Sequence, residues 1–277
     1  MEFKLLPNTL PSIREVLAKY KIQADKRLGQ NFLFDSNITD KIARSQGNLF
    51  DKCVIEIGPG PGLLTRSLLN AGAMVIAIEK DRNCYNALNE YLLPFANGRL
   101  KLIQGDAFDK EIYNHVPGKK TIIANLPYNI STALLNLWLD DIENFSSFCL
   151  MFQKEVADRI MAEPNCKDYG RLSVKVQLLC DINHEFDLLP DMFFPPPKVT
   201  SSVISIIPRE KKLVDVNVQK LEKLCKAVFG QRRKTLRVSL KQITQNPSVI
   251  LDKLGIDSNT RPEQLSVIQL CNLANNL

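Results

Sequence analysis

The chain has 277 residues, 45% hydrophobic and 24% charged, which fits a globular protein of one large domain or a large domain with a small companion. Its net charge of +6 is unevenly placed: residues 209–277 hold 13 Lys+Arg against 6 Asp+Glu, and the rest holds 23 against 24. A basic appendage on a near-neutral body favours an anionic partner, nucleic acid or an acidic membrane surface, over a merely soluble basic surface.

The opening MEFKLLPNTLPSIREVLAKY has neither the apolar core of a signal peptide nor the acid-free look of a transit peptide. No apolar stretch approaches the roughly 20 residues of a membrane span, so a cytoplasmic protein is expected. Cys53, Cys84, Cys149, Cys166, Cys180, Cys225 and Cys271 form no C-x-x-C pair and sit mostly in apolar runs, as core residues of a reducing compartment do. His115 and His184 lack metal-ligand spacing, and no metal is expected.

From Cys53 onward, strand-like and helix-like runs alternate. CVIEIG predicts a strand and GLLTRSLLNAG a helix; MVIAIE a strand and RNCYNALNEYLL a helix. LKLIQGD and TIIANLP predict two further strands, STALLNLWL a helix capped by Ser131, FCLMFQ a fifth strand, and KEVADRIMAE a helix. Continuous apolar strands separated by helices imply an α/β, doubly wound parallel sheet covered on both faces. After the Pro run of FFPPPKV, the β-branched TSSVISII reads as a last edge strand. Past a boundary near residue 208, VQKLEKLCKAVFG, RRKTLRVSLKQI, PSVILDKLG and PEQLSVIQLCNLANN predict four amphipathic helices. The expected domains are therefore 1–208 and 209–277.

EIGPGPGLLT joins the first strand to a helix. Glycines there let a ligand approach the backbone and meet the N–H groups of a helix N-terminus. Glu79 ends the second strand 21 residues after Gly58, where an acid can bind ribose hydroxyls. The spacing is G-x-G-x-G with Glu56 upstream, not the G-x-G-x-x-G of a dinucleotide site. An acid there would repel a pyrophosphate and suits a cofactor with an ammonium and a sulfonium, favouring S-adenosylmethionine over NAD. Gly58, Glu79, Asp106 and Asn125 end successive strands and would line one crevice.

The strand TIIAN runs into Leu-Pro-Tyr. An exocyclic amine on a nucleobase is a poor nucleophile, because its lone pair is delocalised into the ring. The Asn125 side-chain oxygen and the Leu126 carbonyl, accepting its two N–H bonds, would localise that pair toward a methyl donor. Pro127 would stiffen the turn and Tyr128 would stack on the base, a preorganised site without a strong general base.

N-L-P-Y is similar to the [D/N/S]-P-P-[Y/F] motif of amino-methyltransferases. With GQNFL (29–33), EIGPGPGLLT, GDA, NLPYNIST, FQKEVADRI, YGRLSV, FFPPPKVTSSV and FGQRRKTLR, the chain resembles the small-subunit ribosomal RNA adenine dimethyltransferases over about residues 25–240. The resemblance implies a Rossmann-like class I methyltransferase domain with a small all-helical C-terminal domain. It implies cofactor contacts at Asn31, Leu33, Gly58, Glu79, Asp106 and Asn125, and adenine contacts at Asn125, Leu126 and Tyr128. Phe193, of F-x-P-x-P-K, would cover the other face of the base, with Phe194 adjacent. The implied product is N6,N6-dimethyladenosine at two neighbouring adenosines near the 3′ end of small-subunit RNA, within a pre-ribosomal 30S-type particle.

In RRKTLRVSLK, Arg233, Arg237 and Lys241 fall at i, i+4 and i+8 and are read as one phosphate-binding stripe, with Leu236, Leu240 and Ile243 inward. Lys26 and Arg27 are candidates for a second phosphate contact. Glu155 and Asp158, beside Lys154 and Arg159, read as helix-surface ion pairs rather than an acid–base site. A monomer is expected. The competing readings are a large-subunit RNA adenine methyltransferase, a non-catalytic ribosome-assembly factor, and an NAD-dependent oxidoreductase.

Overall fold

A computed structural model of the chain describes residues 4–25, 28–231 and 233–277, with only the backbone at His115. Lys26 and Arg27 lie outside the described residues, as does Arg232. The chain forms two compact units, Met1–Lys154 with Asn183–Ile207, and Glu155–Ile182 with Pro208–Leu277.

The first unit contains α1 (Ile13–Lys19), β1 (Phe32–Leu33), α2 (Ser36–Ser45), β2 (Cys53–Ile57), α3 (Leu63–Asn70), β3 (Met74–Glu79), α4 (Arg82–Tyr91), β4 (Leu100–Gln104), β5 (Lys120–Asn125), α5 (Tyr128–Asp140) and β6 (Phe145–Gln153). After α6 (Lys154–Met161) and α7 (Arg171–Leu179), the chain returns through β7 (Cys180–Leu188), β8 (Phe193–Phe194) and β9 (Ser201–Pro208). The main sheet has the order β4-β3-β2-β5-β6-β9-β7, in which β2–β3, β3–β4, β2–β5 and β5–β6 are parallel. The apolar runs of β2, β5 and β6 are buried on both faces: Val54, Ile55, Ile122, Ile123 and Phe148 have no exposure. Leu68 and Leu69 of α3 and Leu88 of α4 are equally dry, and full burial of one Leu contributes about 1.5–3 kcal/mol. The winding reverses between β2 and β5, which puts a crevice outside the carboxyl ends of those two strands.

The far side of the sheet departs from expectation. TSSVISII does form a strand, β9, but not the edge. It pairs antiparallel with β6, and β7 lies beyond it. Residues Ser201–Ile206 are buried throughout, which requires cover on both flanks. The edge strand β7, CDINHEFDL, is mostly half-buried or exposed and so has no apolar signature in the sequence. Side-chain bonds tie it in: Ser202 and Ser205 donate to Asp187 and Glu185, each at 2.6 Å. Helix α5 also begins earlier than expected. It is capped at Pro127 rather than Ser131, whose hydroxyl donates within the first turn to the Tyr128 carbonyl at 3.1 Å.

The second unit holds most of α6, all of α7, and then α8 (Val218–Phe229), α9 (Leu236–Ser239), α10 (Pro247–Lys253) and α11 (Val267–Asn275). The chain crosses between the units at residues 207/208, and residues 155–182 cluster with the C-terminal helices, the last three of them at the start of β7. Helix α7 shows why: Val174, Val176 and Leu178 are fully buried, and the ammonium of nearly buried Lys175 pairs with Glu222 of α8 at 2.6 Å. Tyr169 packs edge-on against Phe229 in the same unit. No helix among the described residues is long and apolar enough to cross a membrane.

Candidate active site

At the switch between β2 and β5 the chain surrounds a cleft open to solvent. Asn31, Leu33, Gly58, Glu79, Asp106 and Asn125 all line it, together with Leu126 and Tyr128. They lie at or just beyond the ends of β2, β3, β4 and β5, or in the segment Asn31–Leu33 that includes β1.

The glycine turn forms one wall. Gly58, Gly60 and Gly62 have φ of +64°, +55° and +90°, a left-handed path that L side chains rarely follow. At Gly62 space is also closed: a Cβ would lie 2.5 Å from Leu88 and 2.7 Å from the Tyr91 hydroxyl, which donates to the Pro61 carbonyl. Glu79 fixes the turn from β3. Its Oε2 accepts from Gly60 N at 2.9 Å, and its Oε1 from Asp81 N at 2.7 Å. Burial pushes its carboxyl up to about 7 against those bonds, which favour the charged form.

Glu56 lies deeper in the same wall, 1% exposed, and its Oε2 has no hydrogen-bond partner. Burial raises its carboxyl to about 8, and the nearby Glu79 adds to the shift. A cation brought beside these buried acids would favour their ionised forms. Glu56, expected from its position to disfavour a pyrophosphate and suit a cationic cofactor, lines the cleft. Asp106 lies two residues beyond β4 rather than at its end and is half-buried. A hydrogen bond from the Lys80 ammonium at 2.8 Å holds its carboxyl below the usual range. Among the described residues, no group of three or more His, Cys, Asp or Glu is placed to hold a metal.

Asn125, the last residue of β5, donates from Nδ2 to the Asn31 carbonyl at 3.1 Å. Asn125 lines the cleft, and its Oδ1 accepts no hydrogen bond from the described residues. Tyr128 opens α5, half-buried, and its hydroxyl shares a hydrogen bond with Ser201 at the start of β9. Nothing in the sequence links these two residues, 73 positions apart.

Two expected positions differ. Phe193 does not line the cleft: it is 4% exposed and packed in the core, its position paired with Leu33 across the short β1–β8 ribbon. Alternation along the strand sends Phe194 outward, 55% exposed, and Phe194 does not line the cleft either. The Arg233–Arg237–Lys241 stripe is not one helix face. Arg233 lies in a turn, Arg237 in the single turn of α9, and Lys241 in a following 3₁₀ turn, all three exposed. Ser239 donates back to the Thr235 and Leu236 carbonyls, an arrangement that competes with a continuing α-helix. Leu236 and Leu240 are buried as expected, and Ile243 half-buried.

The family described as Ribosomal RNA adenine dimethylase matches residues 21–277. The chain belongs to this family. It is 50% identical over 275 residues to the ribosomal RNA small subunit methyltransferase A of Bartonella tribocorum, covering 97% of this chain and 98% of that one. The protein of the same name from Rhodospirillum rubrum is 48% identical over 259 residues, 93% of this chain and 89% of the other. Among solved structures, a dimethyladenosine transferase from Plasmodium falciparum superposes with a TM-score of 0.75 at 27% identity, over 87% of this chain and 95% of that one. The 23S rRNA methyltransferase ErmE shares the fold, with a TM-score of 0.69 at 24% identity over 89% and 99%. As a dimethylase of this family the protein is a methyltransferase with the α/β class I architecture and a small helical second unit. Membership sets aside the NAD-dependent oxidoreductase.

Proposed function

We propose that the protein uses S-adenosylmethionine to dimethylate N6 of two neighbouring adenosines near the 3′ end of small-subunit ribosomal RNA, acting as a cytoplasmic monomer on a pre-ribosomal 30S-type particle. One observation carries the chemistry: the Asn125 amide is pinned through its nitrogen to the Asn31 carbonyl, leaving its oxygen free to accept from an amine. The names of the relatives at 48–50% identity favour the small-subunit over the large-subunit substrate.

The wall residues fit the cofactor. Orphaned Glu56 Oε2 suits its cationic end, Glu79 a ribose, and Asp106, kept ionised by Lys80, the amino group of its adenine. The bound cofactor supplies the electrophilic methyl group. Asn125 Oδ1 and the Leu126 carbonyl accept the N6 hydrogens of the target base and draw the lone pair out of the ring. Tyr128, its hydroxyl tied to Ser201, holds a ring face for the base. With each transfer N6 would release one proton to water, so after the first one N–H remains, and either acceptor can hold it for the second. The base must leave its stack to reach such a site. Arg233, Arg237 and Lys241 of the basic second unit would take up RNA phosphates.

Transfer of labelled methyl to small subunits lacking the modification tests the proposal, followed by nucleoside analysis. Label in N6,N6-dimethyladenosine, lost with Asn125→Ala, is the expected result. Cofactor and subunit binding without label would refute it.

A further inference from the structure

The ribbon of β1 and β8 has two unlike faces. Inward, the cross-strand partners Leu33 and Phe193 are 5% and 4% exposed, whereas Phe32, the partner of Phe194 on the other face, is 6% exposed and lines the cleft. Outward, the exposed Phe194 ring lies 5.7 Å from the half-buried Phe34 ring, tilted at 54°. The exposed Arg14 of α1 completes the group, its guanidinium carbon 5.4 Å from the Phe34 centroid. The pairs Tyr20–Tyr91, Tyr113–Phe145 and Trp138–Phe148 each contain a buried ring and serve the core, whereas neither ring of Phe34–Phe194 is buried. None of the three side chains lines the cleft.

Position gives this group its meaning. The Asn31 carbonyl is bonded to the Asn125 side chain, so β1 leaves directly from the catalytic asparagine. Phe34 follows three residues later and so lies within about 10–11 Å of Asn31 along the backbone. An RNA strand delivering an adenine to Asn125 therefore has its neighbouring nucleotides within reach of these rings. Two tilted rings with a guanidinium plane offer what unstacked bases bind: π faces, and a cation near the phosphates. The exposed acids Glu15 and Asp35 adjoin Arg14 and Phe34 in the chain, so the apolar surface there is limited to the two rings.

We propose that Phe34, Phe194 and Arg14 form a stacking subsite for an unpaired base next to the target adenosine, outside the cleft. The inference rests on the reading that the cleft takes an RNA adenine. It gives the aromatic pair a base of its own, distinct from the one held at Asn125 and Tyr128.

The test uses the full chain and a stem-loop RNA with two adjacent adenosines in its loop, in versions carrying 2-aminopurine at the target or at either neighbour. Wild-type protein is expected to quench the fluorophore by stacking at a neighbouring position. Phe194→Ala should abolish that quenching and weaken RNA binding by about 5- to 150-fold, the range of one base–aromatic stack. Phe194→Trp should preserve both, and Arg14→Ala should weaken binding without unfolding. Cofactor affinity by calorimetry and melting temperature should match wild type in all three. Wild-type affinity and quenching in Phe194→Ala would overturn the subsite while leaving the RNA reading intact. Loss of quenching at the target position alone would overturn it too, by assigning Phe194 to the target base. A wild-type chain that neither binds nor methylates this RNA or the small subunit would overturn the functional reading and the subsite together.

Discussion

Asn125 is held by one end of its amide, and the proposed reaction uses the other end as an acceptor. Asn125→Ala removes an oriented acceptor of the kind worth about 10²–10³ in kcat, and single-turnover methyl transfer should fall by that factor while cofactor binding falls far less. Glu56 makes a different prediction. Folded Glu56 titrates at about 8 and Glu79 at about 7, against an ordinary 4.5, so the folded chain keeps protons that the unfolded chain loses as pH rises. Stability is full below pH 4.5 and declines through the window up to about 8, by at most about 1.4 kcal/mol per pH unit for each carboxyl. Melting of the cofactor-free protein should therefore drop from about pH 5 to about pH 8. Glu56→Gln should flatten that drop and raise the melting temperature at the upper end, and calorimetry should show weaker S-adenosylmethionine binding. A melting curve indifferent to Glu56→Gln would mean that the carboxyl is ionised in the fold.

At the scale of elements, the turn after β2 separates two kinds of glycine. Gly62→Ala places a Cβ 2.5 Å from Leu88 on α4 and should destabilise the whole unit, visible as a lower melting temperature. Gly58→Ala meets only Pro127 Cδ at 4.0 Å, so its cost is the left-handed backbone, about 1–2 kcal/mol, plus intrusion on the cofactor. Its larger effect should be on cofactor affinity. The network beneath the cleft is purely structural. Tyr113 donates to the Ala107 carbonyl at 2.6 Å and accepts from Trp138 Nε1 at 3.1 Å, with both rings buried. Tyr113→Phe strands both partners and should cost about 1–3 kcal/mol for each by denaturant unfolding. What the sequence made legible follows from the same physics. Strands β2, β3, β5 and β6 were visible because burial on both faces demands continuous apolar runs, and the cleft followed from the polar residues at or just beyond the strand ends. Strand β7 was invisible because an edge held by Ser–acid bonds has no hydrophobic period, and the length of α9 because Ser239's back-bonding leaves no pattern. Phe193 was misplaced for a third reason: a two-residue ribbon decides which of two adjacent phenylalanines faces in, and composition is blind to a one-residue register.

Over the whole molecule, charge divides as the fold does. The second unit, residues 155–182 and 208–277, carries 17 Lys+Arg against 11 Asp+Glu, and the first carries 19 against 19. The unit with the cleft is neutral and the helical unit holds the entire +6. If the helical unit grips phosphates and the cleft selects the base, the two activities should respond differently to salt. RNA affinity should fall steeply with salt, with a log–log slope of about −0.7 per phosphate contact in single-stranded RNA. Cofactor affinity should change little over the same range, because Glu56 and Glu79 act from a buried wall that mobile ions screen poorly. Replacing Arg233, Arg237 and Lys241 together by Ala should reduce the slope by about 2 and weaken binding to all RNAs alike. Broken continuity of the helix beneath them does not remove that effect, since each cation is exposed and acts on phosphates by charge rather than by shared helical register. An unchanged slope in the triple variant would place the phosphate contacts elsewhere, and the lysines of α8, Lys220, Lys223 and Lys226, would be the next to substitute.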